Sequence, residues 1–351
     1  MQKRRPGYDP LMPNISQNER TFILATYTLF LAQGSTLASR SIKSVTMKGY
    51  LSDIDKLCEA RGLMSLRIDN MGRSNTLIDD IINECKRWEK MPDKREPITP
   101  EMLQYLIDLA KRDKYQDSIT NAVVDWIVMG MYAGFRKSES FQDQSNVTKG
   151  LFEKAIDGSA KAFTIDDFSF RKGETRLHRT SDEPIDRSET DLVYLQWRYQ
   201  KNGNNGERIP FSENKENNDH CFVNRAIRVR QRAQRLKIPA DKPMAVCVDR
   251  GKARHISHTD VERIIRIAAA KVHNASEKEQ KQWGTHSIRV GALVRLQLMG
   301  QPEHFIQARL RWKSDRWKEY LRNLPQLANT HTNVVNALAE ELASLKNTEQ
   351  Q

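Results

Sequence analysis

T-H-S-I-R at residues 285–289 and L-R-W-K-S-D-R-W-K-E-Y at 310–320 are the most informative stretches of this chain, together with G-F-R-K-S-E at 134–139. In chain order they supply one arginine, then a His-x-x-Arg pair, then a tryptophan and a tyrosine. Two guanidiniums suit the oxygens of a phosphate, an imidazole can accept a proton, and a tyrosine hydroxyl can act as a nucleophile. The combination is suited to attack on a DNA phosphate.

The order and surroundings of these residues resemble the tyrosine recombinase (phage integrase) family. The resemblance covers roughly residues 20–325 and rests on Arg136, His286, Arg289 and Tyr320. It implies a site-specific DNA recombinase or integrase that cleaves and rejoins DNA through a 3′-phosphotyrosyl intermediate. Because the bond energy is kept in that intermediate, the resemblance also implies that neither a metal nor ATP nor any other cofactor is needed.

The resemblance also assigns a role to each side chain. Arg136 and Arg289 are expected to bind the scissile phosphate, and Glu139 to orient the groups around it. His286 is expected to accept a proton or donate a hydrogen bond, and Tyr320 to attack phosphorus. Each pattern alone is weak, because an arginine after a helix and a His-x-x-Arg pair at a helix start are both common features of ordinary proteins.

The spacing before the tyrosine departs from the family pattern. The family usually places a His or Trp nine residues before its nucleophile, whereas Trp312 precedes Tyr320 by eight and Arg311 holds the ninth place. Losing one helical residue rotates a side chain by about 100° around the helix axis. Trp312 is the favoured candidate for the His/Trp role and Arg311 the alternative. The shortened R-W-K-S-D box resembles that of eukaryotic transposon-borne (Crypton-like) members.

A lysine on a β-hairpin is the remaining part that the resemblance implies, as the general acid for the leaving 5′ oxygen. Lys201 fits by position, because it follows a strand-like segment and precedes the turn sequence N-G-N-N-G at 202–206. Lys172, at the end of another strand-like segment, is the competing candidate.

The charge of the chain favours a polyanionic partner. Its 351 residues include 57 Lys plus Arg against 45 Asp plus Glu, a formal net charge of +12. Proteins that neutralise phosphates release counterions, so double-stranded DNA is the expected partner. An arginine-rich helix over 221–236 supplies Arg225, Arg228 and Arg232 as candidate DNA-binding residues, although a solvated helix face is the alternative.

Cysteine usage and hydropathy indicate the cellular compartment. The four cysteines lie far apart without metal-ligand spacing, which favours reduced thiols inside a cell and no zinc site. No apolar run approaches membrane-spanning length, and no signal peptide is recognisable. We therefore expect an intracellular protein that acts with DNA and no membrane, in the nucleus of a eukaryote or the cytoplasm of a bacterium.

The pattern of helices, strands and turns predicts a mainly α fold with a small β-sheet. A disordered basic arm is predicted over 1–16, a helical, SAM-like core-binding (DNA-binding) domain over 17–91, a linker over 92–98, a mixed α/β catalytic domain over 99–328, and a C-terminal helix over 329–351. In the catalytic domain the pattern predicts strands at 162–170 and 192–200 with a return strand after the N-G-N-N-G turn, and helices at 119–132, 221–236, 258–272 and 286–299.

Two apolar helix faces carry further predictions. From Glu19 to Gln33 the apolar residues Phe22, Ile23, Tyr27, Phe30 and Leu31 repeat with helical spacing, which predicts the first helix. In the C-terminal helix the apolar side chains form one stripe: Val334, Val335, Leu338, Leu342 and Leu345. The stripe could pack within its own chain. The family resemblance implies instead that it docks on a neighbouring copy, in a homo-oligomer that forms a tetramer on paired sites.

Two rival functions are also compatible with the sequence. A type IB topoisomerase uses nearly the same chemistry on a single duplex, but that class usually carries a lysine where this chain has His286. A catalytically inactive DNA-binding relative is the second rival, since the shortened spacing before Tyr320 could have abolished the reaction.

Overall fold

The computed structural model describes residues 14–33, 42–69, 71–73, 76–89, 95–178, 180, 183–200 and 203–321. The chain divides into two compact units, Met1–Pro92 and Asp93–Gln351. Three predictions lie outside the described residues: the basic arm up to residue 13, the candidate acid Lys201, and the C-terminal helix with its apolar stripe.

The first unit is helical. Its helices are α1 (Gln17–Ala32), α2 (Ser44–Ala60) and α3 (Leu77–Trp88). Ser16 begins α1 through a capping box, in which its hydroxyl accepts from the backbone of Glu19 and the Glu19 carboxylate accepts from the backbone of Ser16. A small core joins the three helices and the loop after α2: Leu24, Ala25, Leu51, Cys58, Leu66, Ile78 and Ile82.

The apolar residues whose spacing predicts α1 are, apart from Leu31, not the ones that the helix buries. Phe22, Ile23, Tyr27 and Phe30 are exposed, and the helix buries instead a face that includes Leu24, Ala25, Thr28 and Leu31. Apolar residues occur on every side of α1, so the pattern could not select one face. Ala25 and Thr28 are small, which lets neighbouring backbone approach closely on the side that is buried.

The second unit contains the remaining helices and all the described strands. Its helices are α4 (Pro100–Arg112), α5 (Ile119–Ala133), α6 (Lys137–Ser140), α7 (Gln144–Thr148), α8 (Phe222–Arg235), α9 (His258–His273), α10 (Glu277–Gln280), α11 (Thr285–Leu298) and α12 (Glu303–Leu310). Helices dominate and the sheet is small, so the predicted fold class is confirmed. Helix α12 was not predicted, since its eight residues show no clear apolar period.

The strands form two antiparallel groups. The strands are β1 (Phe168–Lys172), β2 (Thr175–Arg176), β3 (Leu192–Trp197), β4 (Glu207–Ser212), β5 (Val246–Asp249) and β6 (Lys252–His255). The first four make one sheet in the order β2-β1-β3-β4, and the last two make a hairpin that the sequence analysis missed. Val193, Leu195 and Trp197 of β3 point into the core, as alternation along a half-buried strand requires.

Helix α5 lies at the centre of the unit and packs closely against α11. A Cβ atom on Gly130 of α5 would lie 2.5 Å from the Cγ2 atom of Ile288 in α11. Helix α11 also meets the extended segment before α4, where a Cβ on Gly291 would lie 2.8 Å from the carbonyl oxygen of Ile98. The backbone of Ile98 also donates to the carbonyl of Ser287. These contacts fix the start of α11 against the end of α5.

Candidate functional site

Three chain segments that are distant in sequence meet where α5 ends. Gly134 ends α5 in the left-handed conformation (φ 56°), and its carbonyl accepts from the guanidiniums of Arg289 and Arg311. A Cβ on Gly134 would lie 2.9 Å from a methyl carbon of Leu310, so only glycine fits without displacement. The turn therefore gathers the start of α6, the first turn of α11 and the end of α12.

Glu139 is the buried anion of the site. It is 5% exposed, and its carboxylate accepts from the guanidiniums of Arg136 and Arg311, from the backbone of Arg136, and from the indole nitrogen of Trp197. Burial raises the pKa of Glu139, but the guanidiniums of Arg311 and Arg136 and these hydrogen bonds outweigh it and hold the pKa below its usual value. The carboxylate is therefore ionised and fixed.

Arg289 is buried at 2% exposure beneath Trp312. One terminal nitrogen donates to the carbonyl of Gly134 and the other to the carbonyl of Leu310, and the guanidinium carbon lies 4.3 Å from the centre of the Trp312 ring. These contacts hold the guanidinium over the indole ring, a favourable cation–π arrangement. Burial, followed by the charges of Arg311 and Arg136, lowers the pKa of Arg289 to about 9.

His286 and Tyr320 are in direct contact. The Nε2 atom of His286 lies 2.9 Å from the hydroxyl oxygen of Tyr320. Burial, followed by the charges of Arg289, Arg95 and Arg136, lowers the pKa of His286 to about 4. The imidazole is therefore neutral at neutral pH, and its unprotonated nitrogen can accept the proton of a tyrosine hydroxyl.

The tyrosine lies on a 3₁₀ helix, Asp315–Tyr320, rather than an α-helix. In a 3₁₀ helix residues three apart lie one above the other, so Tyr320 shares a face with Trp317. Trp317 is buried against Leu293, Leu310 and neighbouring apolar side chains, and it anchors that face. The tighter winding provides a physical account of how Tyr320 reaches His286 although one residue is missing before it.

Trp312 and Arg311 lie on opposite sides of the turn that follows α12. The Trp312 ring centre is 6.2 Å from that of Tyr320, and its indole nitrogen is buried with no hydrogen-bond partner among the described residues. An indole nitrogen is a donor only, so it is suited to an acceptor such as a phosphate oxygen. Arg311 points inward to Glu139 instead. This geometry supports Trp312 over Arg311 as the residue in the His/Trp position.

The site carries a surplus of positive charge. Arg136, Arg289 and Arg311 bring three guanidiniums around the single carboxylate of Glu139. Arg136 is the most accessible of the three, with a side chain 24% exposed, while Arg311 has a fully buried one. A partly buried cluster with two positive charges in excess favours an anion, and the planar guanidiniums are suited to phosphate.

Of the two candidate general acids, Lys172 lies among the described residues and Lys201 directly follows one of them. Gln200, the residue before Lys201, is buried beside the site, and its side-chain oxygen accepts from Arg311 at 3.4 Å. Lys172 at the end of β1 is exposed and forms an ion pair with Glu189. The hydrogen bond and charge of Glu189 raise the pKa of Lys172, which opposes proton donation. Lys201 remains the favoured prediction.

The prediction that Arg225 and Arg232 contact DNA is wrong for the folded chain. Both are buried, and both form ion pairs with the carboxylate of Asp125 in α5, at 2.9 and 2.6 Å. Arg228 also lies within 3.1 Å of Asp125, but its side chain is 35% exposed and remains a candidate for DNA contact. The three positions share one helix face, and that face covers a buried anion rather than facing solvent.

One contributor to the site was missed by the sequence analysis. Trp197 at the end of β3 donates to Glu139 at 3.3 Å, and the Arg311 guanidinium lies 4.1 Å from its ring centre. Its inward position in the alternating strand was the available signal, but nothing in the sequence shows what an inward tryptophan touches. Among the residues that the structure describes, no group of three or more His, Cys, Asp and Glu side chains could hold a metal ion, and no helix could cross a membrane.

Comparison with known proteins finds similarity among solved structures alone. No protein-family model and no curated protein matches the chain. The chain is similar to the Tn1549 transposon integrase in complex with transposon right end DNA, at 13% identity and a TM-score of 0.46, covering 97% of this chain and 89% of that one. It is also similar to the XerH site-specific recombinase bound to palindromic difH substrate, at 15% identity and a TM-score of 0.42, covering 92% and 73%. The first is a transposon integrase and the second a site-specific recombinase, and each is bound to DNA in its solved structure.

Proposed function

We propose that this protein is a tyrosine recombinase that binds double-stranded DNA and cleaves and rejoins it through a 3′-phosphotyrosyl intermediate. The observation that carries the proposal is the Tyr320 hydroxyl, held 2.9 Å from a neutral imidazole beside a cluster of guanidiniums with surplus positive charge. A tyrosine hydroxyl has a pKa near 10, so it needs both a proton acceptor and cationic surroundings before it can attack phosphorus.

The proposed reaction balances without a further reactant. The scissile phosphate binds Arg136 and Arg289, and the indole nitrogen of Trp312 donates to one of its oxygens. Tyr320 gives its proton to His286 and attacks phosphorus, so that a bond to phosphorus forms as the bond to the 5′ oxygen breaks. Lys201 is the proposed donor of a proton to that oxygen. Attack by a 5′-hydroxyl of a partner strand reverses the sequence.

The electrostatic groups supply most of the expected rate enhancement. Each preorganised donor aimed at a developing charge contributes about 3–4 kcal/mol to the transition state. Arg289 is already held by the carbonyls of Gly134 and Leu310, so it needs little reorganisation when phosphate arrives. Recombination rather than simple nicking requires two DNA sites, and we propose a tetramer of this chain on paired sites.

Covalent trapping on nicked DNA tests the proposal. A nick close to the scissile phosphate lets the short strand diffuse away, so the phosphotyrosyl adduct accumulates and migrates as a protein–DNA band on a denaturing gel. A pool of nicked duplexes of varied sequence replaces the unknown target. We expect wild-type protein to form the adduct and Tyr320→Phe to bind DNA equally without forming it.

Each alternative result has a distinct meaning. An adduct with Tyr320→Phe would move the nucleophile elsewhere, with Tyr132 or Tyr199 as candidates. DNA binding by the wild type without any adduct would favour the catalytically inactive relative. Relaxation of supercoiled plasmid without joining of two sites would favour the type IB topoisomerase.

A further inference from the structure

Arg311 occupies a backbone conformation that arginine rarely adopts. Its φ is 57°, in the left-handed region, where the Cβ of an ordinary side chain crowds the following carbonyl. Three other non-glycine residues with positive φ are described, Lys237, Arg250 and Asn274, and none of them is buried. A strained residue that persists in a buried position is held there by its surroundings.

The contacts of Arg311 are directed at Glu139 rather than at the open side of the site. Its two terminal nitrogens each donate to a different oxygen of the Glu139 carboxylate, both at 3.0 Å. The guanidinium stacks on Trp197 at 4.1 Å, and Trp197 itself donates to Glu139. Arg311 therefore forms a bidentate ion pair with the Glu139 carboxylate and lies over the ring of Trp197.

Arg136 is bound to the same carboxylate far less completely. One terminal nitrogen donates to Glu139 at 3.0 Å, and the other lies 3.5 Å from the carbonyl of Arg311. Its side chain is 24% exposed, against 0% for Arg311. An incoming phosphate that takes Arg136 away from Glu139 would leave a buried carboxylate without a cation unless a second one stayed in place, and an unpaired buried charge is costly.

We propose that Arg311 is a positioning residue that permanently neutralises Glu139 and so leaves Arg136 available to the scissile phosphate. Without Arg311, Glu139 would retain Arg136 as its only close cation and compete with the phosphate for it. This inference rests on the proposed function for its catalytic consequence, and on the geometry of the Glu139 carboxylate for its cause.

Paired substitutions separate positioning from structural support. Arg311→Gly removes the guanidinium, and relief of the left-handed strain offsets part of the cost of taking a buried cation away from Glu139. At a temperature where it is folded, DNA affinity should stay within about 3-fold of wild type while the rate of adduct formation falls about 100-fold. Adding Glu139→Gln should restore at least about 10-fold of that rate, because a neutral amide no longer competes for Arg136.

The control for backbone relief is Arg250→Gly, which changes another left-handed residue (φ 49°) on the exposed turn between β5 and β6. It should leave the rate of adduct formation unchanged. If Glu139→Gln fails to rescue Arg311→Gly, Arg311 acts on the phosphate directly or only supports the fold, and the proposal is overturned. Equal losses of affinity and rate in Arg311→Gly would overturn it as well.

Inorganic phosphate gives a readout that does not depend on catalysis. Titrated into the intact protein by calorimetry, phosphate should bind about 10-fold more weakly to Arg311→Gly and recover in the double variant with Glu139→Gln. If the wild-type protein forms no DNA adduct but the variants follow this pattern of phosphate binding, the proposed function is rejected and the inference stands. Unchanged phosphate binding in Arg311→Gly would remove the inference.

Discussion

At the residue scale, the identities of the groups in the site were predictable and their partners were not. The order of Arg136, His286, Arg289 and Tyr320 along the chain predicts phosphate chemistry, and the structure brings all four together. The pairing of Arg311 with Glu139 joins two segments that no local pattern connects. Spacing rules describe neighbours on one helix, so contacts made across a turn lie beyond them.

The neutral His286 predicts a pH dependence of stability. An unfolded histidine has a pKa of 6.5 and the folded one about 4, so the unfolded state binds the extra proton between these values. Stability contributed by His286 is therefore present above pH 6.5 and lost as the pH falls towards 4, by up to roughly 3 kcal/mol. Urea unfolding at several pH values should show a shallower loss for His286→Gln than for wild type.

The comparison of wild type with His286→Gln is needed because the pKa of His178 is lowered as well. Burial and nearby arginines lower its pKa to about 4 as well, so the wild-type curve contains both contributions. The difference between wild type and His286→Gln isolates the contribution of His286 to the pH dependence of stability. Parallel curves would mean that His286 is not held neutral in the folded protein.

Gly134 predicts a stability effect coupled to catalysis. Gly134→Ala places a Cβ in the left-handed region and 2.9 Å from Leu310, and a left-handed alanine alone costs about 1–2 kcal/mol. Displacement of the turn also moves the carbonyl that holds Arg289. We expect a lower unfolding midpoint in urea and a loss of adduct formation larger than any loss of DNA affinity.

Gly150→Ala serves as the control for that substitution. Gly150 also has a positive φ, of 66°, but a Cβ there would meet nothing within 4 Å. Gly150→Ala should lose stability because alanine is strained in the left-handed region, but it should keep the wild-type rate of cleavage. A similar loss of cleavage in both variants would attribute the effect to general destabilisation rather than to the turn beneath Arg289.

At the scale of elements, the sequence predicted long helices and the main sheet well. Helices predicted at 221–236, 258–272 and 286–299 are observed within one residue at each end, because apolar spacing and caps mark them clearly. The face of α1 was not predictable, since its apolar residues surround the helix. The role of α8 was also missed, because the buried partner of its arginines, Asp125, lies on a different helix.

The corrected role of α8 predicts which arginines affect DNA binding. Arg232→Met removes a fully buried cation from Asp125 and should lower the free energy of unfolding by roughly 3 kcal/mol. The folded variant and the wild type should show the same dependence of DNA affinity on salt concentration. Arg228→Ala is the contrasting variant: if Arg228 contacts a phosphate, its loss should reduce the salt slope by about one. A reduced slope for Arg232→Met would reinstate it as a DNA contact.

At the scale of the whole molecule, the second unit contains every described residue of the site, and the predicted linker contributes to it. Residues 95–98 belong to the predicted linker, yet the backbone of Glu96 donates to the carbonyl of Gln282 and the carbonyl of Pro97 accepts from the indole of Trp283, just before α11. Charge and proline content predict an open linker, but they do not show that its last residues brace the helix that carries His286.

The excess positive charge of the site predicts stabilisation by a tetrahedral anion. At ten times its dissociation constant, a bound anion adds about 1.4 kcal/mol to stability. Sulfate should therefore raise the melting temperature more than chloride at equal ionic strength. Sulfate also stabilises proteins through exclusion from the surface, and that effect should be the same in Arg136→Ala. An equal response in wild type and Arg136→Ala would exclude a specific anion site.

The same surplus of guanidiniums over carboxylates affects which anions are suitable for purifying and assaying the protein. A preparation precipitated with ammonium sulfate, or kept in phosphate buffer, would carry a competitive inhibitor at the site. Inhibition of this kind is relieved by dialysis into a buffer with a bulky organic anion. Screens for DNA substrates are therefore best run in HEPES with chloride salts, where neither sulfate nor phosphate competes for the site.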